Sequence, residues 1–228
     1  MKVGIIFAME EELRELRKYL NLNREYDIYD LHFLEGKIGN VVCFLVQSGV
    51  GKVNAARTTQ VLIDNFKVDY IFNIGVAGGI SEKLKVGDIV VGDSLVQHDF
   101  DITAFNHEKG YIPKVGKCIN VDPRLVRIVK DVFDSNKMRY LCGTIATGDI
   151  FCTDVNKTEE IYKTFGAICV EMEGAAVAQT AFLSGVPFLI LRSISDVPNN
   201  DNVMTYNEFL ESSCKIIAEA MEKILLRL

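Results

Sequence analysis

Acidic residues follow three separate apolar runs of the sequence, at points where strands of a sheet would end. Glu10–Glu12 directly follow the run Val3–Met9. Glu171–Glu173 follow Ala167–Val170, and Asp196 closes a third run. Ligands of open α/β sheets bind just beyond the carboxyl ends of the strands, so the three acidic positions could share one pocket. Several carboxylates without obvious metal ligands suit acid/base chemistry on a neutral or cationic substrate.

The surroundings of the three acidic positions differ. Glu10–Glu12 begin a predicted helix, where the helix dipole favours negative side chains, so at most one of them should turn into a pocket. Glu173 precedes the small and apolar segment Gly174–Leu183, which predicts a deeply buried helix. An acid at a buried helix start is costly unless it binds something, which favours Glu173 as a functional residue. For Asp196 the spacing is equally compatible with a helix or turn cap and with a function.

Length and charge restrict the classes of protein to which the chain could belong. Its 228 residues suffice for one large core and are short for two full domains. A net charge of −6 without a basic stripe argues against nucleic-acid and anionic-membrane partners. No apolar stretch reaches the roughly 20 residues that cross a bilayer. Glu10–Glu12 also end the first apolar run too early for a signal peptide, so we expect a cytoplasmic protein.

The cysteine and histidine residues indicate neither a disulfide framework nor a metal site. The six cysteines are widely spread and form no C-x-x-C pair. Cys43 and Cys169 lie inside apolar runs and are predicted to be core residues. His98, Asp99 and Asp101 match no zinc-ligand spacing, and a polar loop is expected there. We therefore predict no metal and no cofactor.

Strand-like and helix-like segments alternate along the chain. Apolar or β-branched runs predict strands at Val3–Ala8, Val41–Gln47, Tyr70–Ile74, Asp88–Val96, Gly143–Thr147, Ala167–Val170 and Phe188–Ile194. Helical spacing is found at Glu10–Leu20, Val53–Phe66, Pro123–Asn136 and after a capping box at Thr205–Glu208.

This alternation predicts a three-layer α/β/α fold around a twisted, largely parallel sheet. A hairpin from Tyr26–Phe33 to Val41–Gln47, around Gly36, Gly39 and Asn40, would make the sheet mixed. No linker, charge block or internal repeat divides the sequence. We expect one domain, residues 1–228.

Two glycine-rich segments follow predicted strands. Ser48–Lys52 precedes a helix and Gly75–Gly79 follows Tyr70–Ile74, so either backbone could approach a ligand. Neither segment matches a dinucleotide-binding or P-loop motif, and tight turns explain them equally well. Arg192 is the one cation close in sequence to a candidate acid, where it could serve the site or simply neutralise a buried acid. Several acids with one arginine favour water over phosphate as the second reactant.

A set of motifs spread over nearly the whole chain is typical of one family. The motifs are AMEEE at 8–12, SGVGKVNAA at 48–56, AGG at 77–79 with VGDIVV at 86–91, GDIF at 148–151, VEME at 170–173 and SISD at 193–196. In this order they closely resemble the 5′-methylthioadenosine/S-adenosylhomocysteine nucleosidases of the nucleoside phosphorylase/hydrolase superfamily.

The resemblance implies a homodimer that hydrolyses the N-glycosidic bond of adenine thionucleosides in methionine salvage, with 5′-deoxyadenosine as a further candidate substrate. Carried over by motif, Glu12 would activate the attacking water and Glu173 would bind the ribose hydroxyls. Asp196 would protonate adenine N7, and Arg192 would order Asp196 and the water region. These roles fit the chemistry, because the sugar acquires oxocarbenium character and the base needs a proton donor.

The resemblance also implies a set of substrate-binding positions. Phe151 would stack on adenine and the backbone of Cys152 would read its edge. Met9, Val50 and Tyr206 would line the ribose and 5′-alkylthio pocket, and Met172 would lie against the sugar. Val76 and Val170 are further predicted substrate-binding positions. Phe105 and Pro113 would complete the pocket of the partner subunit. Family members often have serine where this chain has Val76, so water held there would depend on Glu12, Arg192 and backbone groups.

Two alternatives remain open from the sequence. A purine nucleoside phosphorylase or a futalosine-type hydrolase would share the fold, although Asn73 and Val76 occupy places where a phosphorylase would bind phosphate. A non-catalytic nucleoside-binding protein on the same fold is the alternative from a different class. The presence of all three candidate acids argues against this second alternative.

Overall fold

A ten-stranded mixed sheet forms the centre of the computed structural model, which describes residues 1–197 and 202–228, without the side chains of 202–205. The strands are β1 Lys2–Phe7, β2 Asn21–Ile28, β3 Leu31–Ile38, β4 Val41–Gln47, β5 Tyr70–Gly79, β6 Ile89–Gln97, β7 Ile119–Asn120, β8 Tyr140–Thr147, β9 Ala167–Glu171 and β10 Phe188–Asp196. The helices are α1 Glu10–Arg17, α2 Lys52–Phe66, α3 Pro123–Ser135, α4 Val155–Phe165, α5 Gly174–Leu183 and α6 Asn202–Arg227.

The strand order explains how distant segments reach one site. The sheet runs β10-β6-β8-β9-β5-β1-β4-β3-β2, and β10 also pairs with β5, so half of the sheet closes on itself. Strand β5 therefore lies beside β1, β9 and β10. Each of these three neighbours ends at one of the acidic positions. The predicted mixed α/β sheet is confirmed.

Helices cover the sheet in two groups. Helices α1 and α3 pack against α6, which lies on β10 and β5, whereas α2 packs against α5, which lies on β8, β6 and β10. Strand β1 is apolar on both of its faces, as expected for a strand between parallel neighbours with helices on both sides. The predicted burial of Gly174–Leu183 is confirmed for Gly174–Ala178 and Ala181, while Phe182 and Leu183 at its end are exposed.

Several elements differ from their predicted bounds or were not predicted. The antiparallel hairpin into Val41–Gln47 is confirmed as the pair β3–β4, but the bounds of its first strand, Tyr26–Phe33, are wrong, because a turn at Tyr29–Asp30 divides that segment between β2 and β3, and Tyr29 has a φ of 59°. Helix α4 was missed, since Val155–Phe165 buries only Thr158 and Ile161 and shows little apolar periodicity. Helix α6 begins three residues before the predicted capping box, and the side chain of Thr205 lies outside the described residues.

Cys43, Cys118, Cys142, Cys169 and Cys214 carry free thiols. Cys43, Cys152, Cys169 and Cys214 are buried, which agrees with the predicted core role of Cys43 and Cys169. In the part of the chain that the structure describes, no helix has the length and apolar character of a membrane span.

Candidate active site

One cavity lies at the carboxyl ends of β1, β5, β9 and β10. It brings together ten of the residues predicted from the sequence, namely Met9, Glu12, Val50, Val76, Phe151, Val170, Met172, Glu173, Asp196 and Tyr206. Of the three acids Glu10–Glu12, only Glu12 lines the cavity, which confirms that at most one turns inward. The three acidic clusters therefore share one pocket.

Glu12 is the third residue of α1, and its carboxylate folds back over the start of the helix. Oε2 accepts hydrogen bonds from the backbone N–H groups of Ala8 at 2.9 Å and Met9 at 3.1 Å. Oε1 accepts one from the N–H of Val76 at 3.0 Å. Burial raises the pKa of Glu12 above its usual value, and the positive charge of Arg192 opposes this effect. The three backbone hydrogen bonds also lower the pKa, but burial outweighs them, so this carboxylate is a better proton acceptor than an exposed glutamate.

A glycine of β5 makes room for this carboxylate. A Cβ atom on Gly75 would lie 2.5 Å from Glu12 Oε1, a distance that side-chain atoms do not tolerate. Gly78 similarly lies beside Asp196, where a Cβ would be 3.2 Å from Oδ2. The glycines that the sequence placed after the β5 run thus allow two acidic side chains to approach the strand closely.

Asp196 reaches the cavity through an irregularity in β10. Ile194 pairs with Ala77 and Asp196 pairs with Gly78, so two steps along β10 match one step along β5. Such a bulge re-aims a side chain, and bulges are enriched next to active sites. The carboxylate is only 2% exposed, and its Oδ1 accepts a hydrogen bond from Ser195 Oγ at 2.9 Å.

Glu173 lies at the N-cap position of α5, between the cavity and the glycine-rich segment Ser48–Lys52. Its Oε1 accepts a hydrogen bond from the N–H of Gly51 at 2.8 Å. Burial, and then the neighbouring carboxylate of Glu171, raise the pKa of Glu173 to about 7. Glu173 can therefore change its protonation state near neutral pH.

Arg192 is fully buried, and its described contacts hold a different acid from the one implied by the resemblance. Its guanidinium forms an ion pair with Glu171 through Nη2, and Nη2 also donates to Asn73 Oδ1 at 2.5 Å. Nη1 donates to the backbone carbonyls of Asn73 and Leu191. In the described contacts Arg192 forms its ion pair with Glu171, and the ordering of Asp196 and the water region by Arg192 stays a prediction.

Comparison with known proteins identifies the family. The family model of the phosphorylase superfamily matches residues 2–228. A 5′-methylthioadenosine/S-adenosylhomocysteine nucleosidase from Exiguobacterium sp. is 43% identical over 215 residues, covering 93% of this chain and 92% of the relative. This chain belongs to the 5′-methylthioadenosine/S-adenosylhomocysteine nucleosidase family.

Solved structures agree with membership of this nucleosidase family. The S-adenosylhomocysteine nucleosidase of Streptococcus pyogenes, solved in complex with 5-methylthiotubericidin, is 39% identical. It matches with a TM-score of 0.97 over 100% of this chain and 97% of its own. A futalosine hydrolase of Helicobacter pylori is 34% identical and also has a TM-score of 0.97, over 100% of this chain and 98% of its own. The backbone alone thus does not distinguish these two named activities.

One wall of the nucleosidase cavity is aromatic and partly open. The rings of Phe151 and Tyr206 meet edge to face with centroids 5.6 Å apart, and Phe151 is partly exposed. The Tyr206 hydroxyl donates to Met9 Sδ at 3.2 Å. Cys152, next to Phe151, is buried and does not line the cavity.

Phe105 and Pro113, the two positions predicted to complete the partner's pocket, lie outside the cavity of this subunit. Phe105 ends a short 3-10 helix, Thr103–Phe105, and is 76% exposed. Pro113 is exposed as well. An exposed phenylalanine and proline away from their own cavity are compatible with a role in a neighbouring subunit.

Glu171 is the principal residue of the nucleosidase site that the sequence did not assign. Besides Arg192, its carboxylate accepts hydrogen bonds from Thr147 Oγ1 and from the N–H groups of Glu173 at 3.1 Å and Gly174 at 2.7 Å. It therefore caps α5 and fixes the backbone that carries Glu173. The VEME motif at 170–173 contains two acids, Glu171 and Glu173, and the sequence predicts a functional role only for Glu173.

The variant Glu171→Gln is expected to lower the free energy of unfolding by about 3–5 kcal/mol, because it leaves the Arg192 guanidinium buried without its counter-charge. Urea denaturation followed by circular dichroism measures the change. The matched control is the double variant Glu171→Gln with Arg192→Met, which removes both charges and should regain part of the loss. Unfolding of Glu171→Gln at the wild-type urea concentration would contradict this role.

Proposed function

We propose that this protein hydrolyses the N-glycosidic bond of 5′-methylthioadenosine and S-adenosylhomocysteine and releases adenine and the thioribose. The observation that carries the proposal is that Glu12, Glu173 and Asp196, from three different strand ends, line one cavity. Glycosidic hydrolysis needs a base for water, a partner for a sugar that becomes positive, and an acid for the leaving group. Relatives and structural neighbours named for this activity give further support.

Glu12 is proposed to deprotonate the attacking water. Its three backbone hydrogen bonds fix the carboxylate, while burial raises its pKa and so increases its basicity. The serine hydroxyl common in the family is absent, since this chain has Val76. Val76 instead contributes its backbone N–H to Glu12, a contact that does not depend on the side chain.

Glu173 is proposed to accept hydrogen bonds from the ribose hydroxyls. Its Oε1 already accepts the N–H of Gly51, and its remaining lone pairs face the cavity that Met172 also lines. A carboxylate beside the sugar also stabilises the positive charge that develops as the bond breaks. Arg192 limits the negative charge of the site by pairing with Glu171.

Asp196 is proposed to protonate adenine N7, while Phe151 stacks on the base. Burial at the bulge of β10 and the hydrogen bond from Ser195 hold the carboxyl group in one orientation. A proton on the base makes it a neutral leaving group, which lowers the barrier to departure. The apolar side chains of Met9 and Val50 provide a slot suited to a 5′-alkylthio group.

A phosphate-free assay of adenine release tests the proposal. The wild-type protein should release adenine from 5′-methylthioadenosine and S-adenosylhomocysteine at a rate that added phosphate does not change. Strict dependence on phosphate would identify a phosphorylase instead, and no release from any nucleoside would support a non-catalytic binding protein. The panel should include 5′-deoxyadenosine and inosine.

A futalosine-type hydrolase is the second candidate, favoured by the structural match to the enzyme of Helicobacter pylori. The two activities would use the same three acids and differ in the group attached at the 5′ position, and futalosine also carries hypoxanthine in place of adenine. Comparing kcat/KM for futalosine, aminofutalosine and 5′-methylthioadenosine in one assay decides between them.

The activity is expected to fall as the pH drops through about 7. Glu173 must be ionised to accept hydrogen bonds from the sugar, and its raised pKa means that it takes up a proton near pH 7 instead of near 4.5. Glu12, whose pKa is also raised, acts in the same direction. A pH profile of kcat/KM, which reports the free enzyme, measures this acid limb.

The control for this profile is Glu173→Gln, which cannot ionise at that position. It should be less active at every pH and should lose the inflection near pH 7. An unchanged inflection in Glu173→Gln would assign it to another group.

We also propose a homodimer in which Phe105 and Pro113 complete the pocket of the partner subunit. The support is the exposure of Phe105, together with exposed Val50 and Phe151 at the mouth of the cavity. Large apolar side chains left exposed in one subunit support an interaction surface.

Phe105→Ala is expected to raise KM for 5′-methylthioadenosine roughly tenfold, equivalent to about 1.4 kcal/mol, with a small effect on unfolding because the side chain is exposed in its own subunit. Mixing Phe105→Ala with Glu12→Ala tests the arrangement between subunits. In a mixed dimer, the pocket that retains Glu12 receives Phe105 from the other subunit, so activity with a wild-type KM should appear. If mixing restores nothing although mixed dimers form, Phe105 does not act across the interface.

Two further proposals concern the domain organisation and the cellular location of the enzyme. Residues 1–228 are proposed to act as one nucleosidase domain, supported by the single continuous sheet and by the match of the family model from residue 2 to the end. A cytoplasmic location is supported by the free thiols of Cys43, Cys118, Cys142, Cys169 and Cys214, which are typical of a reducing compartment.

A further inference from the structure

A ring of polar contacts outside the cavity ties the start of α2 to the turn after β8. The backbone N–H of Lys52 donates to Asp149 Oδ1 at 2.8 Å, and the backbone N–H of Asp149 donates to Asp99 Oδ2 at 3.0 Å. Lys52 Nζ closes the ring on Asp99 Oδ1 at 2.6 Å. None of these three residues lines the cavity.

The two joined segments carry substrate contacts of the proposed reaction. Gly51, whose N–H holds Glu173 at 2.8 Å, immediately precedes Lys52. Phe151, the proposed stacking residue, follows Asp149 by two positions. Lys52 is thus one residue from Gly51, which contacts the proposed sugar-binding Glu173. Asp149 is two residues from Phe151, the proposed base-stacking residue.

The Lys52–Asp99 pair of this ring is better enclosed than an ordinary surface ion pair, whereas Asp149 is exposed. The side chains of Lys52 and Asp99 are 18% and 19% exposed, and Lys52 Nζ also donates to Gln97 Oε1 at 3.1 Å. Burial alone would raise the pKa of Asp99, but the hydrogen bonds from Lys52 and Asp149 outweigh it and leave the pKa below its usual value. Enclosed and multiply bonded pairs hold their geometry more tightly than exposed ones.

The backbone conformation of Gly51 also brings it close to the Asp149 carboxylate of the ring. Gly51 has a φ of 101°, a conformation that residues with a side chain rarely adopt. A Cβ atom there would lie 3.2 Å from Asp149 Oδ1. The N–H that contacts Glu173 is therefore directed by a backbone conformation packed against the Asp149 carboxylate.

We propose that Lys52, Asp99 and Asp149 form a positioning clamp that keeps the sugar-binding and base-binding segments in register. The kinetic effect expected of the clamp rests on the proposed function. The contacts that connect the two segments do not depend on that function. Its residues do not touch the reacting atoms, so they are positioning residues. Small displacements of substrate-binding groups cost catalysis heavily, up to about 10²-fold for about 1 Å.

Kinetics on matched variants test the clamp. Lys52→Met should lower kcat/KM for 5′-methylthioadenosine about 10- to 100-fold. Asp149→Ala should do the same, whereas Asp149→Asn, which keeps an oxygen to accept the Lys52 N–H, should stay near wild type. The control is Lys163→Met, which breaks an exposed lysine–glutamate pair of the same 2.6 Å length and should leave activity unchanged. Equal activity of Asp149→Ala and Asp149→Asn, or wild-type activity of Lys52→Met, would overturn the clamp.

Amide hydrogen exchange without ligand separates the clamp from the proposed function. In Lys52→Met and Asp149→Ala, peptides covering residues 48–52 and 148–153 should exchange faster, with other segments unchanged and a melting temperature within about 4 °C of wild type. This result would support the clamp even if the protein released no adenine. Unchanged exchange in both peptides would reject it whatever the protein's activity.

Discussion

Asp196→Asn is expected to lower kcat for adenine release from 5′-methylthioadenosine by about 10²–10⁴-fold, the usual contribution of a general acid. An amide keeps the size of the side chain but cannot give a proton to adenine N7. Because Asp196 is buried beside Ser195 and Gly78, the substitution changes chemistry more than shape. Steady-state measurement of adenine release gives the ratio.

A matched control and a second substrate make this prediction specific. Asp88→Asn alters another buried aspartate, one that pairs with Arg139 away from the cavity, and should leave kcat within about twofold of wild type. A 4-nitrophenyl 5-methylthioriboside has a leaving group that departs without a proton, so the loss in Asp196→Asn should shrink greatly. An equally large loss on both substrates would mean that Asp196 does not act as the acid.

Glu12→Ala is expected to reduce kcat by a similar factor of about 10²–10⁴, because the attacking water then lacks its base. Alanine is the informative replacement, since the nitrogen of a glutamine would face the N–H donors of Ala8, Met9 or Val76. The melting temperature, recorded alongside, separates loss of chemistry from loss of folding.

Azide distinguishes the role of Glu12 from that of Asp196. Azide attacks without losing a proton, and the space left by the missing carboxylate can admit it. Glu12→Ala should therefore regain adenine release in millimolar azide and form a ribosyl azide, whereas Asp196→Asn should not. Recovery of both variants, or of neither, would contradict the division of tasks between the two acids.

The parallel core and its buried helix could be predicted from local patterns. The run before Glu10 is apolar throughout because β1 lies between two parallel neighbours, and such strands have one recognisable composition. The small and apolar segment after Glu173 predicted a buried helix for a similar reason. These signals also located the acidic strand ends, since an acid directly after a buried strand interrupts an otherwise apolar pattern.

Contacts between distant positions could not be predicted in the same way. The partner of Arg192 depends on the pairing of β10 with β5 and β5 with β9, which places Glu171 near a residue 21 positions away. The choice of Glu12 among three glutamates depends on how the start of α1 meets β5, and the family resemblance supplied it. The Lys52–Asp99 pair spans 47 positions and follows no local motif.

Gly75 has a consequence for how this enzyme can change by mutation. Because a Cβ at position 75 would lie 2.5 Å from Glu12 Oε1, the two positions are not independent. A scan of single substitutions would record Gly75 as intolerant, but only against a background that keeps glutamate at position 12. With the shorter aspartate there, alanine at 75 gains room, so the pair forms an epistatic unit. Libraries or ancestral reconstructions that vary one position while fixing the other would miss every sequence in which both have moved.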